Sequence, residues 1–553
     1  MRNSNRRTSQ SNRSAVSVSS ALDVLRRSAV SLLLARLIGA FVVVIGSLQV
    51  TDVVAEQGEV PHRVQALDSR GALTEMMAKV VEFTLSNGVR VLMYRRGEAP
   101  VFSGAVVVRV GGSDEVVGTT GVSHMFEHMA FKGSQRIGTR DYERERKLLL
   151  AIEEIAARSK GLSEQLTEAD QQRLEDLNAE LQKLWIPEEF SRIYDRSGAT
   201  GLNATTDKEL TRYFVSLPRP SLELWASLES DRIIAPVMRQ FYQERDVVME
   251  ERRMRSDDDP TGKLYETLLA TAFTQHPYRH PVIGYADDIS KLTATQTDEF
   301  RQRYYVGSNI VVALVGDVDA ERDRGLLERY FGRIPAGAKP ARPTVVEPPQ
   351  LAERSVEVQH PSSPEVLLAY HKPNYPHRDD PALSVMSEIL AGSRISPLYS
   401  RIVQRDQLAV SIDADEGPGF AYPNLLIFHS ALRQPHTAAE LLTTFDSVLK
   451  EFIETGPTEE QVAIAKRAVA MAYLTRMGSS MSIALDLASS EILYDDWRAG
   501  LQWYDEAMAV TAQDVKRVAG QYLKPQQRTV VTIKQGKAPE TVEQKKGGYH
   551  GTR

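Results

Sequence analysis

Gly121-Val122-Ser123-His124-Met125-Phe126-Glu127-His128-Met129-Ala130-Phe131-Lys132-Gly133 is the stretch that decides how this chain reads. As a helix it sets His124 and His128 one turn apart, at i and i+4, with both imidazoles on one face. Two neutral imidazoles so spaced can clasp a tetrahedral zinc and leave room for a third protein ligand and a water. Glu127, beside the second histidine, can take a proton from that water. The order H-x-x-E-H reverses the commoner H-E-x-x-H zinc helix. Met125, Phe126 and Met129 would face a core whether or not a metal binds.

A histidine pair needs another ligand, and the acidic run Glu244-Arg245-Asp246-Val247-Val248-Met249-Glu250-Glu251-Arg252-Arg253-Met254-Arg255 offers candidates. Glu244 and Glu251 are seven apart, so two helical turns bring both carboxylates to one face while Val247 and Val248 can pack inward. One carboxylate could bind metal and the other could orient a histidine from behind. The same spacing also describes an ordinary solvated helix.

These pieces resemble the catalytic domain of the M16 peptidase family, which includes pitrilysin, insulin-degrading enzyme and the mitochondrial processing peptidase. The resemblance rests on His124 through Ser134, on Asn203-Ala204-Thr205-Thr206-Asp207, and on Glu244 through Arg255. His276-Pro277-Tyr278 and Val282-Ile283-Gly284 follow in the family's order. It implies His124, His128 and Glu251 as zinc ligands, Glu127 as general base and Glu244 as the supporting carboxylate. It also implies an α+β fold of two homologous α/β-sandwich units, forming one half of a clam-shell. The last ligand comes later after His128 than in the family, so Glu251 rests on the local Glu-x6-Glu match, with Glu250 as the neighbouring alternative.

Composition suits a large enzyme. A chain of 553 residues exceeds one core and should hold at least two domains. A net charge of −6, with both signs plentiful, implies no general attraction to nucleic acid. There is no cysteine, which removes disulfides, thiolate catalysis and cysteine zinc sites. Residues 1–36 carry seven arginines and no lysine, the apolar stretch Leu37–Leu48 follows, and Val53-Val54-Ala55 resembles a small-residue cleavage site. The expectation is an export signal over 1–55, with a mature chain beginning at Glu56 in the periplasm or envelope of a bacterium. The apolar core is short for a membrane anchor.

Along the rest of the chain, 56–78 reads as a linker and 79–334 as the catalytic domain. Val80–Leu92 alternates into the hairpin signal Ser86-Asn87-Gly88. Val101–Val110 reads as a buried strand before the motif helix. Residues 142–192 read as an inserted helical hairpin, with Leu174, Leu177, Leu181 and Leu184 as its stripe and Thr167 with Asp170 as a cap. Residues 203–217 recover strand character. The family uses this strand as a sheet edge that pairs with extended substrate, so Asn203, Ala204 and Thr205 are the expected substrate-binding residues.

A weak internal repeat marks a second unit. Thr293–Leu314 and Thr511–Thr532 each read as a helix followed by a strand, with Tyr304 matching Tyr522 and Val312 matching Val530. Residues 335–350 read as a linker, 351–535 as a non-catalytic unit and 536–553 as a loose tail. His360, His371, His377, His429 and His436 lack metal spacing. The family's segment that presents an Arg and a Tyr, seven apart, to substrate resembles Leu390–Val410, and here those places fall on Val403 and Val410. Arg401 or Arg405 could substitute. Otherwise a homologous partner chain supplies the pair, which makes a heterodimer the expectation over a homodimer.

The expected function is that of a zinc-dependent endopeptidase acting on unfolded peptides or oligopeptides. The alternative is a metal-free or weakly active scaffold subunit of an M16-type complex. The four motif residues argue against it, because such relatives usually lack one of them.

Overall fold

The structure is a computed structural model and describes residues 69–97, 99–159 and 166–536. The expected export signal, 1–55, and the tail beyond Gly536 lie outside the described residues. No described helix is long and apolar enough to cross a membrane.

Two mixed sheets organise the chain. The first runs β1-β2-β6-β3-β5-β4, from β1 (Val80–Thr84), β2 (Arg90–Arg95), β3 (Val101–Val108), β4 (Thr200–Thr206), β5 (Thr211–Pro218) and β6 (Ile310–Gly316). The second runs β7-β11-β8-β10-β9, from β7 (Arg354–His360), β8 (Glu365–Lys372), β9 (Ala409–Gly417), β10 (Asn424–Leu432) and β11 (Arg528–Gln535). Setting β1 aside, the two orders are the same. In each, the last strand enters parallel to the first and antiparallel to the second (β6 between β2 and β3, β11 between β7 and β8). The repeat legible in the sequence is the closing unit of both: helices Ala294–Tyr304 and Ala512–Tyr522 start at Thr293 and Thr511, each in a capping box, and lead into β6 and β11.

The near-continuous apolar run of β3 has a simple cause: both faces of the sheet are covered. One face packs on helices of the first half, including the motif helix Val122–Met129 and Leu222–Ile234, through Val106, Phe126, Trp225 and Val312. Gly104 lets Trp225 lie against the strand, since a Cβ there would sit 2.6 Å from the indole. The other face, with Ala105, Val107, Val311 and Ala313, is covered by helix Ser480–Tyr494 from the second half, through Ile483, Leu487 and Ile492. The exchange is reciprocal. Helix Pro260–Ala272 of the first half covers the second sheet, Leu264, Leu268 and Leu269 packing on Leu367, Leu425 and Val531. Each fully buried leucine or isoleucine contributes about 1.5–3 kcal/mol, so each half holds the other in register.

Several expectations are refined. Residues 56–78 do not end as a linker: Ser69–Ala78 is a helix whose Leu73, Met76 and Met77 are buried. At Asn87-Gly88 only Gly88 takes positive φ (+96°), and the Asn87 side chain donates instead to the carbonyls of Phe331 and Ile334, both at 2.8 Å. The segment expected to be an inserted hairpin forms helices Tyr142–Arg158 and Glu168–Leu184, packed through Ile152, Ile155, Leu177 and Leu181, with the Thr167 cap in place. Its last residues already belong elsewhere, because Phe190, on helix Glu189–Arg196, enters the main core. Residues 203–217 are two strands rather than one. β4 is the sheet edge and carries Asn203, Ala204 and Thr205; Tyr213–Leu217 lies on β5, paired on both sides. The stretch 335–350 is extended and pinned: Arg342 donates to the carbonyls of Ile492 and Leu493, and Glu347 accepts from the amides of Thr274, Gln275 and His276.

Candidate active site

The motif helix is anchored at both ends. Gly121 begins it at φ +88°, where a side chain would meet the Ile283 carbonyl at 2.5 Å. The buried Glu115 carboxylate accepts from the amides of Gly121 and Ser123, both at 2.8 Å, and so satisfies donors at the positive end of the helix dipole. Burial nonetheless pushes Glu115 up to about 7. Met125, Phe126 and Met129 are buried, and Phe126 meets Tyr305 edge-on with ring centroids 4.6 Å apart. The apolar face therefore fixes the polar one: His124 and His128 project together, their rings 4.7 Å apart.

The second helix, Phe241–Arg252, brings both of its glutamates to those rings. Glu244 Oε1 lies 2.9 Å from His128 Nδ1, and Lys132 closes on the same carboxylate. Glu251 faces His128 Nε2 at 3.5 Å and His124 Nε2 at 3.9 Å. One ligand atom from each of His124, His128 and Glu251 lies within 4.8 Å of the others, and these three form the one such metal-competent group among the described residues. The separations exceed hydrogen-bond length yet converge, which is the spacing expected of ligands around a common centre. Val248 is buried, as expected, but Val247 is 52% exposed: the face holding Glu244 and Glu251 leaves room for only one of the two valines inward.

Electrostatics fit a cation. Burial, with help from the His128 charge, holds His124 down to about 3, so it is a neutral imidazole at ordinary pH. Burial opposes charge on His128 as well, yet the hydrogen bond to Glu244 and the facing Glu251 carboxylate win and raise it to about 9. Burial would raise Glu251, but His128, His124 and Arg255 outweigh it and hold it at about 2. The carboxylates of Glu244 and Glu251 thus put negative charge beside the two imidazoles, and a divalent ion bound there would compete with protons for His128.

Glu127 sits on the same helix but turns toward the sheet edge. Its Oε2 accepts from Thr206 Oγ1 of β4 at 2.6 Å, and burial pushes the carboxyl up to about 7 against that hydrogen bond. Thr206, Glu115 and Arg255, whose Nη1 lies 2.7 Å from Glu251 Oε1, were not singled out as functional from the sequence. For Thr206 a signal existed, since it shares a strand face with Ala204 and so points where Ala204 does. The expected edge residues differ among themselves. Ala204 is buried in the core, so only its backbone could serve a ligand, while Asn203 is exposed. A cavity of about 530 Å³ opens beside Glu127, His128 and Asn203.

In the second half, Val403 is buried and Val410 is 55% exposed, and neither offers a donor. Arg401 and Arg405 both engage Asp406, at 3.0 and 2.9 Å. His371 and His429 are held by the Ala272 carbonyl and Glu365, in keeping with structural roles.

Residues 90–165 match the family model described as insulinase, peptidase family M16, and residues 291–469 match that of the peptidase M16 inactive domain. The zinc protease PqqE of Helicobacter pylori is 26% identical over 460 residues, covering 82% of this chain and 92% of that protein. An uncharacterized zinc protease of Mycobacterium tuberculosis is 30% identical over 334 residues, covering 58% of this chain and 73% of the relative. The crystal structure of a protease from Helicobacter pylori superposes with a TM-score of 0.69 at 25% identity, covering 82% of this chain and 99% of that one.

Proposed function

Because the chain belongs to the M16 peptidase family, we propose that it is a zinc-dependent endopeptidase that hydrolyses unfolded peptides. The observation that carries this reading is the convergence of His124, His128 and Glu251 within 4.8 Å, with Glu127 one residue away on the same helix. His124, His128 and Glu251 would hold the ion, which when bound would polarise a peptide carbonyl and acidify a water.

The chain's own residues do the rest. Glu244 fixes the proton of His128 on Nδ1 and leaves Nε2 free as a ligand. Glu127, held by Thr206, takes a proton from the attacking water and returns it to the leaving nitrogen, a task suited to a carboxyl tuned near neutrality. The free edge of β4 offers backbone groups around Asn203, Ala204 and Thr205 to an extended peptide, giving affinity with little demand on sequence. Folded proteins do not present such a strand.

Val403 and Val410 supply no donor, so a homologous chain carrying an Arg and a Tyr completes the site, with a homodimer as the alternative. The arginine-rich, then apolar, amino terminus directs export into a bacterial envelope, with cleavage before Glu56; N-terminal sequencing of the native protein tests this. Metal content measured together with peptide cleavage tests the function itself: a chain that binds zinc and cleaves nothing, alone or with its partner, ends the reading.

A further inference from the structure

The cavity beside Glu127 and His128 has a wall that the inserted hairpin delivers. The chain leaves helix Glu168–Leu184 through Trp185, Ile186 and Pro187, and these line the cavity together with Glu188 and Glu189. Across from them the start of helix Phe241–Arg252 contributes Gln240.

Two features set Glu188 and Gln240 apart. Both hold left-handed backbone, at φ 52° and 55°, and they are two of only four non-glycine residues among those described that do so. Glycine would take that conformation at lower cost, by about 1 kcal/mol, so the side chains are not there for the backbone's sake. Such residues gather where a ligand is clamped. Second, neither side chain has a hydrogen-bond or ion-pair partner among the described residues, and both are exposed toward solvent.

The other charges of the wall are engaged. Lys132 is paired with Glu244, and Glu189 accepts from the Gly138 amide at 2.6 Å. Arg239 is held by Glu145 and by the carbonyls of Lys132, Ser134 and Ile137. What the cavity offers a newcomer is therefore one free carboxylate, Glu188, beside the uncharged polar side chains of Gln240, Asn203 and Ser191.

We propose that this cavity receives the peptide side chain flanking the scissile bond and selects a cationic one, arginine or lysine, with Glu188 as the specificity-determining charge and Gln240 as its hydrogen-bonding companion. The inference rests on the peptidase reading, because Glu127 and Asn203 border the same cavity. It assigns a purpose to the insertion: the hairpin packs on itself and against Arg239 through Glu145 and Trp185, and so holds Glu188 at the mouth.

The test separates recognition from chemistry. The full chain carrying Glu127→Gln, loaded with zinc, is titrated with fluorescent unfolded peptides in which a single arginine is moved along the sequence, each compared with its citrulline counterpart. One arginine position should bind about fivefold tighter than citrulline, the scale of one partly exposed ion pair. Adding Glu188→Gln should bring that ratio near one. Adding Glu168→Gln, an exposed carboxylate on the hairpin away from the cavity, should leave it. The proposal is overturned if no arginine position is preferred, or if the preference survives Glu188→Gln. Cleavage by the chain with Glu127 intact is scored separately. Binding preference without cleavage, alone or with the homologous partner chain, would end the peptidase reading and keep the pocket; cleavage without preference would do the reverse.

Discussion

Glu127 on the motif helix and Thr206 on the sheet edge share a 2.6 Å hydrogen bond, so the proposed proton carrier and the strand that would hold a peptide are one rigid piece. A peptide pairing with β4 is thereby registered against the carboxylate that must reach its leaving nitrogen. Thr206→Val removes the tie and keeps the shape. It should lower kcat by about 10- to 100-fold, the scale of a small misplacement of a reacting group, and leave zinc content unchanged. Steady-state kinetics beside metal analysis decide it; an undiminished kcat would make Thr206 a packing residue.

The proposed metal ligands and the proposed base should part company under mutation. Replacing His124, His128 or Glu251 by Ala should lose zinc and activity together. Glu127→Gln should keep zinc and reduce cleavage by about 10²- to 10⁴-fold, since an amide accepts no proton. Glu244→Ala should weaken zinc binding by about 10- to 100-fold, because His128 loses the partner that orients it. If Glu251→Ala retains full affinity, Glu250 is the next residue to change, although its carboxylate is engaged by Arg253 on the exposed side.

Glu115 predicts a pH dependence of stability. Its folded value, about 7, lies above its ordinary 4.5, so the folded state binds more protons between those limits. Stability therefore falls as pH rises from about 4.5 to about 7, by a few kcal/mol at most. The direction is opposite to that of a salt-bridged carboxylate. Tm measured across that window should drop more steeply for the native chain than for Glu115→Gln. Parallel curves would mean that the carboxylate is solvated or compensated by Lys208, whose own value burial lowers to about 8.

Much of the candidate site's geometry is legible in the sequence, and for a local reason. His124, Glu127 and His128 lie on one helix turn and Glu244 and Glu251 on two turns of another, so sequence spacing and spatial spacing coincide. Thr206 escaped notice because its meeting with Glu127 spans 79 positions and depends on which strand is the edge. The split of 203–217 into β4 and β5 was hidden by a short connection with no Gly or Pro to mark it. The exchange of helices Pro260–Ala272 and Ser480–Tyr494 had no signal at all, since periodicity shows that a helix has an apolar face and never says which sheet receives it.

That exchange makes its own prediction. Each half covers a sheet of the other, so the extended stretch 335–350 is not what joins them. A protease site placed near Val345, which is exposed, should allow complete cutting while both pieces co-elute and keep their zinc. Leu487→Ala should destabilise the whole molecule by about 2–5 kcal/mol in a single unfolding transition. Separation of the pieces after cutting would show the interface to be weaker than its buried leucines suggest.

The last prediction concerns completeness. Attack on a peptide carbonyl needs donors aimed at the oxygen as its charge develops, and removing one such donor commonly costs about 10²–10³ in rate. Val403 is buried and Val410 presents only methyl groups. Arg401 and Arg405 are both turned to Asp406, so either would have to break an ion pair to help. The isolated chain should therefore bind zinc yet cleave peptides slowly. Mixed with a homologous chain carrying Arg and Tyr at the two matching places, it should gain activity by orders of magnitude and double in mass. Restoring the pair within this chain, as Val403→Arg with Val410→Tyr, is the less secure route because Val403 is packed in the core. Full activity from a homodimer of the unaltered chain would sink the heterodimer proposal, and Arg401→Ala and Arg405→Ala would then show which guanidinium leaves Asp406 to do the work.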